Sequence, residues 1–494
     1  MASRSILADD VPPPQELFRD DIPGISLPVD FKLQSADSNL VPKPPGVHFQ
    51  VTQQPILTPQ QTFGEAIANF AGVFSGPGFN LIFRPQNVGS KSDKFPGPER
   101  LELNLTHETW TFPSDLKTGD LGPVPNRGVG DQRDIFLRGI HYVQVVRDVT
   151  GQEGKRIDVF KNGKAKDASR QKDITDIHFE PGLFVHIPAS SPNPNNATIS
   201  RMASIPHGTT INAQGQAATK ANVPPVISPT DSTPFRIGDP KSLIPFVEFD
   251  INNQATTREP KDLSQFKSNG AITQDMLTNP NSLLIAHNAG KKILDTVTFT
   301  VKTTPLETPL KQQACPYLMA ANTLNDAVGR MGTFTTAEAT QIKSDLTTAA
   351  TNLKAEANGT ANIAFLDGGV VNAAAQPNAS AAKVESTFWI SRVQYSINVT
   401  ADWQPGVEHG KPKQLRLFPS PTPNTVPQFV PDTVPIFAFP TDKPIKKGTY
   451  QCEAIQIQYS QNVLLNFNTL SWPHISVATL VPLNDIQVPA ANIK

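Results

Sequence analysis

The stretch YQCEAIQIQYSQNVLLNFNTLSWPHISVATLVP, residues 450–482, carries the pattern that decides the fold class. Ile455, Ile457, Tyr459, Val463, Leu465 and Phe467 recur at even spacing between polar neighbours, the period of a strand that buries one face. After Trp472-Pro473 comes a second apolar strand, HISVATLVP. Reading outward, the same texture returns in GFNLIFRP (Phe79, Leu81, Phe83), in LELNLTHETWTF (Leu101, Leu103, Leu105, then Trp110 and Phe112), and in RGIHYVQVV, IHFEPGLFVHIPA, ISRMASIP and TTINAQG. KKILDTVTFTVKTTP sets Val297, Phe299 and Val301 on one face, and STFWISRVQYSINVTADW resumes the pattern further on. Successive short strands separated by turn residues predict an antiparallel meander that curls and closes into a barrel.

Composition agrees. The 494 residues include 47 Pro and 30 Gly but only 18% charged residues, which disfavours helical bundles and favours strands punctuated by turns. Lys and Arg number 43 against 44 Asp and Glu, so the net charge of -1 gives no footprint for nucleic acid or an anionic membrane. Cys315 and Cys452 are too few for a disulfide scaffold or a thiolate metal site, and both read as free thiols. No signal-like run opens the chain, and nowhere do about eighteen apolar residues follow one another, so the expectation is a cytoplasmic protein without a membrane span.

Four regions follow. Residues 1–62, rich in Pro, Asp and Gln without periodicity, read as an extended arm. Residues 63–220 open with a short helix, GEAIANFAG, and supply the first part of the barrel. Residues 221–385 read as a long mixed insertion carrying helices, including a long one capped by Thr335 and Glu338 with Ile342, Leu346, Ala349 and Leu353 at helical spacing until Gly359. Residues 386–494 provide the closing strands.

The familiar nucleophile, nucleotide and zinc-protease motifs are absent: there is no GxSxG, GxxxxGK[ST] or HExxH, and no GxGxxG after a strand. Gly72, Gly76 and Gly78 in GVFSGPGFN precede a strand rather than a helix, so they read as backbone bending and not as a phosphate cradle. Three histidines stand in unusual settings. His178 and Glu180 share one face of a strand, where they either bind a metal or ligand or form a buried polar couple. His207, in the turn Pro206-His207-Gly208, either projects over the mouth of a cavity or serves turn chemistry alone. His474 follows the alternating strand and is set rigidly by Trp472-Pro473; it is either a satisfied core histidine or a neutral imidazole suited to haem iron.

Taken in order, GVFSGPGF (with Phe74 where Trp is usual), IHFEPGLFVHIPA, IPHGTTINAQG and QYSQNVLLNFNTLSWPHISVATLVP resemble the motifs of the nitrobindin family. These are small haem-binding β-barrels related in shape to lipocalins and fatty-acid-binding proteins, and larger haem-binding barrels occur in bacteria and fungi. The resemblance covers about residues 63–220 and 386–485, with no counterpart for the insertion. It implies a mainly β, closed antiparallel lipocalin- or nitrobindin-like barrel holding haem b. His474 would be the axial iron ligand and His207 the distal catalytic donor, with Phe83 and Trp472 as further cofactor contacts; His178 and Glu180 become supporting groups. The implied activity is a haem-dependent oxidoreductase of peroxidase or reactive-nitrogen type, acting on a small peroxide, a nitrogen oxide or an apolar organic substrate. The rival expectation is a haem-free carrier of an apolar ligand such as a fatty acid. A third places a single non-haem iron or manganese between His178, Glu180 and His207.

Overall fold

The computed structural model describes residues 59–85, 99–116, 121–126, 134–151, 154–189, 197–216, 218–237, 239–244, 249–253, 258–303, 359–362, 379–408, 410–419, 434–467 and 470–489. Most of the N-terminal arm lies outside these residues, as do Cys315 and the expected long helix up to residue 358; Gly359 itself begins a short strand, Gly359–Asn362.

Ten antiparallel strands make the barrel: β1 Val73–Pro85, β2 Glu99–Thr111, β3 Ile135–Asp148, β4 Thr175–Ile187, β5 Thr198–Ile205, β6 Thr209–Gln216, β7 Lys292–Lys302, β8 Ser380–Val399, β9 Gly448–Phe467 and β10 Leu470–Pro482. Each pairs with the next in the chain, and β10 returns to β1 through Phe74↔Pro482 to Leu81↔Ile475, so the meander is closed. Every stave contains a strand anticipated from the sequence. The closure is tight, and glycine permits it. A Cβ at Gly76 would stand 2.0 Å from the carbonyl oxygen of Thr479, and one at Gly78 would stand 2.4 Å from that of Val477. These glycines let two backbones approach, a role distinct from the bending read from the sequence. The weakest seam is β6–β7, joined at Lys302↔Gln214; beside it, Gly359–Asn362 pairs with β6 and Thr219–Ala221 pairs with β7.

Part of the insertion reading needs correction. β7 lies inside residues 221–385 yet is a stave of the barrel, so that segment is not one excursion from it. Its described helices are short: α2 Ser264–Ser268, α3 Gln274–Thr278 and α4 Asn281–Asn288, with α1 Pro59–Ile67 preceding the barrel.

Among the described residues the apolar side chains form three cores. Inside the barrel, Phe63 and Ile67 of α1 and the following Phe70 meet Phe74, Trp110, Phe112, Tyr142, Phe184, Phe299 and Phe388. Phe299 and Phe388 stack at 4.9 Å, and Trp110 stacks on Tyr142 at 5.1 Å. A second core lies on the outer surface, where Phe79, Leu81, Phe83, Leu101, Leu103 and Leu105 are covered by Ile251, Leu263, Phe266, Ile272, Leu277 and Leu284. A third joins the far ends of β8 and β9 (Val393, Tyr395, Ile397, Tyr450, Cys452) to Phe437, Phe439 and Ile445. The conspicuous alternation in β1 and early β2 therefore marks the outer face. Phe83, which the resemblance places against a cofactor inside the barrel, belongs to this stripe and lies under the jacket formed by Ile251 and residues 258–288.

Phe388 touches rings on several staves at once, so truncating it leaves a cavity that rigid strands cannot close. Phe388→Ala is expected to cost about 3–5 kcal/mol of stability, read from the urea midpoint.

Candidate functional site

Because Leu101, Leu103 and Leu105 face outward, their alternate neighbours Glu102, Asn104, Thr106 and Glu108 face inward, and the same logic turns Asn80, Ile82 and Arg84 of β1 into the lumen. The result is a polar layer across the barrel. Glu180 and Arg201, both wholly buried, form an ion pair of 2.5 Å. Arg201 also donates from Nε to the Tyr142 hydroxyl (2.8 Å) and from Nη1 to Ser386 Oγ (2.9 Å) and Gln461 Oε1 (2.6 Å). Tyr142 donates to Glu180 Oε1 in turn. The guanidinium carbon lies 5.5 Å from the Trp110 ring and 5.7 Å from that of Phe388. Next to this network, Glu108 accepts hydrogen bonds from Tyr459 (2.5 Å), Gln144 Nε2 (3.2 Å) and Thr106 (3.3 Å).

Beyond the layer the lumen opens into a chamber of about 370 Å³, within the range of small-molecule sites. Gln144 and Gln461 belong to both the layer and the chamber wall, and Ile82, Val146, Ile205, Val463 and Leu465 add apolar wall. His178, His207 and His474 all line it. Three histidines singled out separately in the sequence are thus brought together. His178 and His207 stand edge to face at 5.8 Å, and His178 Nε2 is 3.2 Å from Glu180 Oε2. His474, deep in the wall, meets the Asn80 amide at 2.7 Å from its Nε2; the same amide donates to Ser476 Oγ (2.7 Å). His207 sits exposed at the rim.

The electrostatics follow from burial and partners. Burial, reinforced by His178 and His207, pushes His474 down to about 3, so its ring is neutral throughout the physiological range. His207 is also lowered, by partial desolvation of its ring and then by His178, with a hydrogen bond to the Ile177 backbone opposing. Burial alone would raise Glu180, but Arg201, His178 and Tyr142 outweigh it and hold the carboxyl at about 2. Glu108 has no guanidinium hydrogen-bonded to it; burial raises it to about 7 against the pull of its hydrogen bonds and of His178.

Phe83 and Trp472, expected as cofactor contacts, do not line this chamber. Trp472 stacks on Phe467 at 4.9 Å, donates its indole hydrogen to the Phe467 carbonyl (3.0 Å) and packs on Phe83 at 4.9 Å, and Phe83 also meets Phe249; all belong to the outer core. The physical reason is the jacket, which gives large apolar side chains a second place to be buried. Conversely, the sequence reading missed Asn80, Glu108, Gln144, Arg201 and Gln461. A signal was present: Glu102, Asn104, Thr106 and Glu108 repeat at period two opposite a leucine stripe. That pattern ordinarily denotes a solvent face. Among the described residues no group of three His, Cys, Asp or Glu side chains is placed to hold a metal ion, and no helix is long and apolar enough to cross a membrane.

The chain matches no protein-family model, no curated protein and no solved structure.

The two buried carboxyls give opposite pH dependences. Folding lowers the Glu180 pKa to about 2 from 4.5, so its stabilising contribution is complete above about pH 4.5 and is lost as pH falls toward 2. Folding raises Glu108 from 4.5 to about 7, so its contribution is complete below about 4.5 and is lost as pH rises through 7. Glu108→Gln, which keeps an uncharged acceptor, is expected to remove that decline, on the order of 3 kcal/mol between about pH 5 and 8. Urea midpoints of the two proteins across that interval measure it; equal slopes would mean that Glu108 does not titrate on folding.

Proposed function

We propose that the protein is a haem b-binding barrel acting as a haem-dependent oxidoreductase of peroxidase or reactive-nitrogen type. The observation that carries this reading is the convergence of His178, His207 and His474 on one chamber inside a closed barrel. The resemblance of the ordered motifs to the nitrobindin family supports the choice of haem.

The donor set suits that group. A coordinating imidazole must be neutral, and His474 is held so by burial. The apolar wall residues suit a porphyrin face, and the polar ones suit groups placed around it. His474 would hold the iron through Nε2, exchanging its present contact with Asn80 for the metal. When bound, haem would supply redox chemistry at iron; the chain would supply a coordinating imidazole, burial and hydrogen-bonding groups. His207, at the rim and with its proton affinity lowered, would donate a hydrogen bond to an oxygen-containing substrate or carry a proton between it and solvent.

A haem-free carrier of fatty acid is the weaker reading. An alkyl chain has no donor to offer Gln144 Oε1, a buried acceptor of this wall residue without a hydrogen-bond partner among the described residues, which would stay unsatisfied at about 1–3 kcal/mol.

Protein produced with haem supplied is expected to show a Soret band, and His474→Ala to abolish it or shift it and weaken haem affinity by at least about 10–100-fold. An unchanged band in the variant would move the iron to His178 or His207, whereas a colourless protein that saturates with fatty acid would establish the carrier. Peroxide-driven oxidation of a phenolic dye no faster than with free haem would sink the oxidoreductase half of the proposal.

A further inference from the structure

His178 is the chamber histidine whose proton position is dictated by what stands behind it. Both Arg201 Nη2 (2.5 Å) and the Tyr142 hydroxyl donate to Glu180 Oε1, leaving Oε2 to face His178 Nε2 at 3.2 Å. An ionised carboxylate only accepts hydrogen bonds. In the neutral ring the hydrogen must therefore sit on Nε2, and the lone pair on Nδ1. The carboxylate cannot turn away to relieve this arrangement, because Arg201 is itself fixed by Ser386 and Gln461 on two other staves. His474 is in the opposite condition: its Nε2 accepts from the Asn80 amide, so its lone pair is engaged.

We infer that His178 is the proton acceptor of the chamber, with Glu180 as its positioning residue, and that the ligands it serves carry an acidic O–H: a hydroperoxide, a phenol or a protonated oxyacid. The inference rests on the chamber being the binding site proposed above. The ligand O–H bond breaks, its electron pair stays on the ligand oxygen, and the proton forms a bond to Nδ1. The imidazolium so produced is compensated through Nε2–H by the Glu180 carboxylate, which remains unprotonated. A buried carboxylate backing an imidazole in this way fixes ring orientation and tautomer and stabilises the charged ring.

The tautomer can be read directly. In long-range proton–nitrogen correlation spectra of the haem-free full chain with labelled histidine, His178, assigned by its loss in His178→Gln, is expected to show hydrogen on Nε2 and a bare Nδ1. Glu180→Gln should invert it: Arg201 and Tyr142 retain the amide oxygen, the NH2 group turns to His178 and donates to Nε2, and the hydrogen moves to Nδ1. A wild-type ring with hydrogen on Nδ1, or a tautomer indifferent to Glu180→Gln, would overturn the inference. If that variant does not fold, the wild-type spectrum still decides. As a functional reading, 4-nitrophenol added to the wild type should bind as the coloured phenolate at a pH where the free dye is the phenol, with about tenfold less phenolate in His178→Gln. Dye bound as the phenol, or not bound, would count against the ligand class. A correct tautomer without a Soret band would remove haem and keep the inference; a Soret band with the wrong tautomer would do the reverse.

Discussion

The contact between Glu180 and Arg201 organises the interior of this barrel. Two opposite charges, wholly buried, sit among rings of Trp110, Tyr142 and Phe388 and use nearly all their hydrogen-bonding capacity on side chains from four staves. A pair of this kind adds little net stability over an apolar replacement, because taking the charges out of water costs about what their attraction returns. Its contribution is direction. Arg201 orients Gln461 and Tyr142, Glu180 orients His178, and through Gln461 and His178 the pair shapes the floor of the chamber. Removing one partner alone would leave the other as an uncompensated buried charge, so the layer behaves as a unit.

Within that layer the same chemical group occurs in two ionisation regimes. Glu180, against a guanidinium, is an acceptor at all ordinary pH values; Glu108, satisfied only by neutral donors, titrates close to neutrality. Divergent environments for like groups are how acid and base roles are separated in a single site. Gln144 connects the second carboxyl to the chamber, donating to Glu108 and to Tyr459 while lining the cavity wall. The charge state of Glu108 is thus felt one side chain away from whatever occupies the chamber.

The strands were legible because their period is strong: β9 and β10 announce themselves through Ile455 to Phe467 and His474 to Pro482, and each of the ten staves contains a stretch with that signature. Which face points inward was not legible. Period two identifies two faces without naming them, and the assumption that apolar means lumen fails for Phe79, Leu81 and Phe83 once a covering layer exists. The candidate site was half legible. His178, His207 and His474 drew notice because imidazoles are scarce and chemically conspicuous, whereas Arg201 in ISRMASIP looks like an ordinary strand-surface cation. Only closure of the barrel brings Glu180, Ser386 and Gln461 around it.

The jacket also accounts for how such a polar lumen is tolerated. A minimal barrel has one place to bury apolar side chains, its interior, and each polar group put there subtracts from the core that holds it together. Here the outer faces of β1 and β2 bury their own leucines and phenylalanines beneath Ile251 and residues 258–288, and the ends of β8 and β9 bury theirs beneath Phe437, Phe439 and Ile445. Among the described residues, stabilisation by apolar burial is therefore distributed over three cores, one of them in the lumen. That frees part of the lumen from the duty of being hydrophobic, and the freed part is where the three imidazoles, the amides and the carboxylates converge.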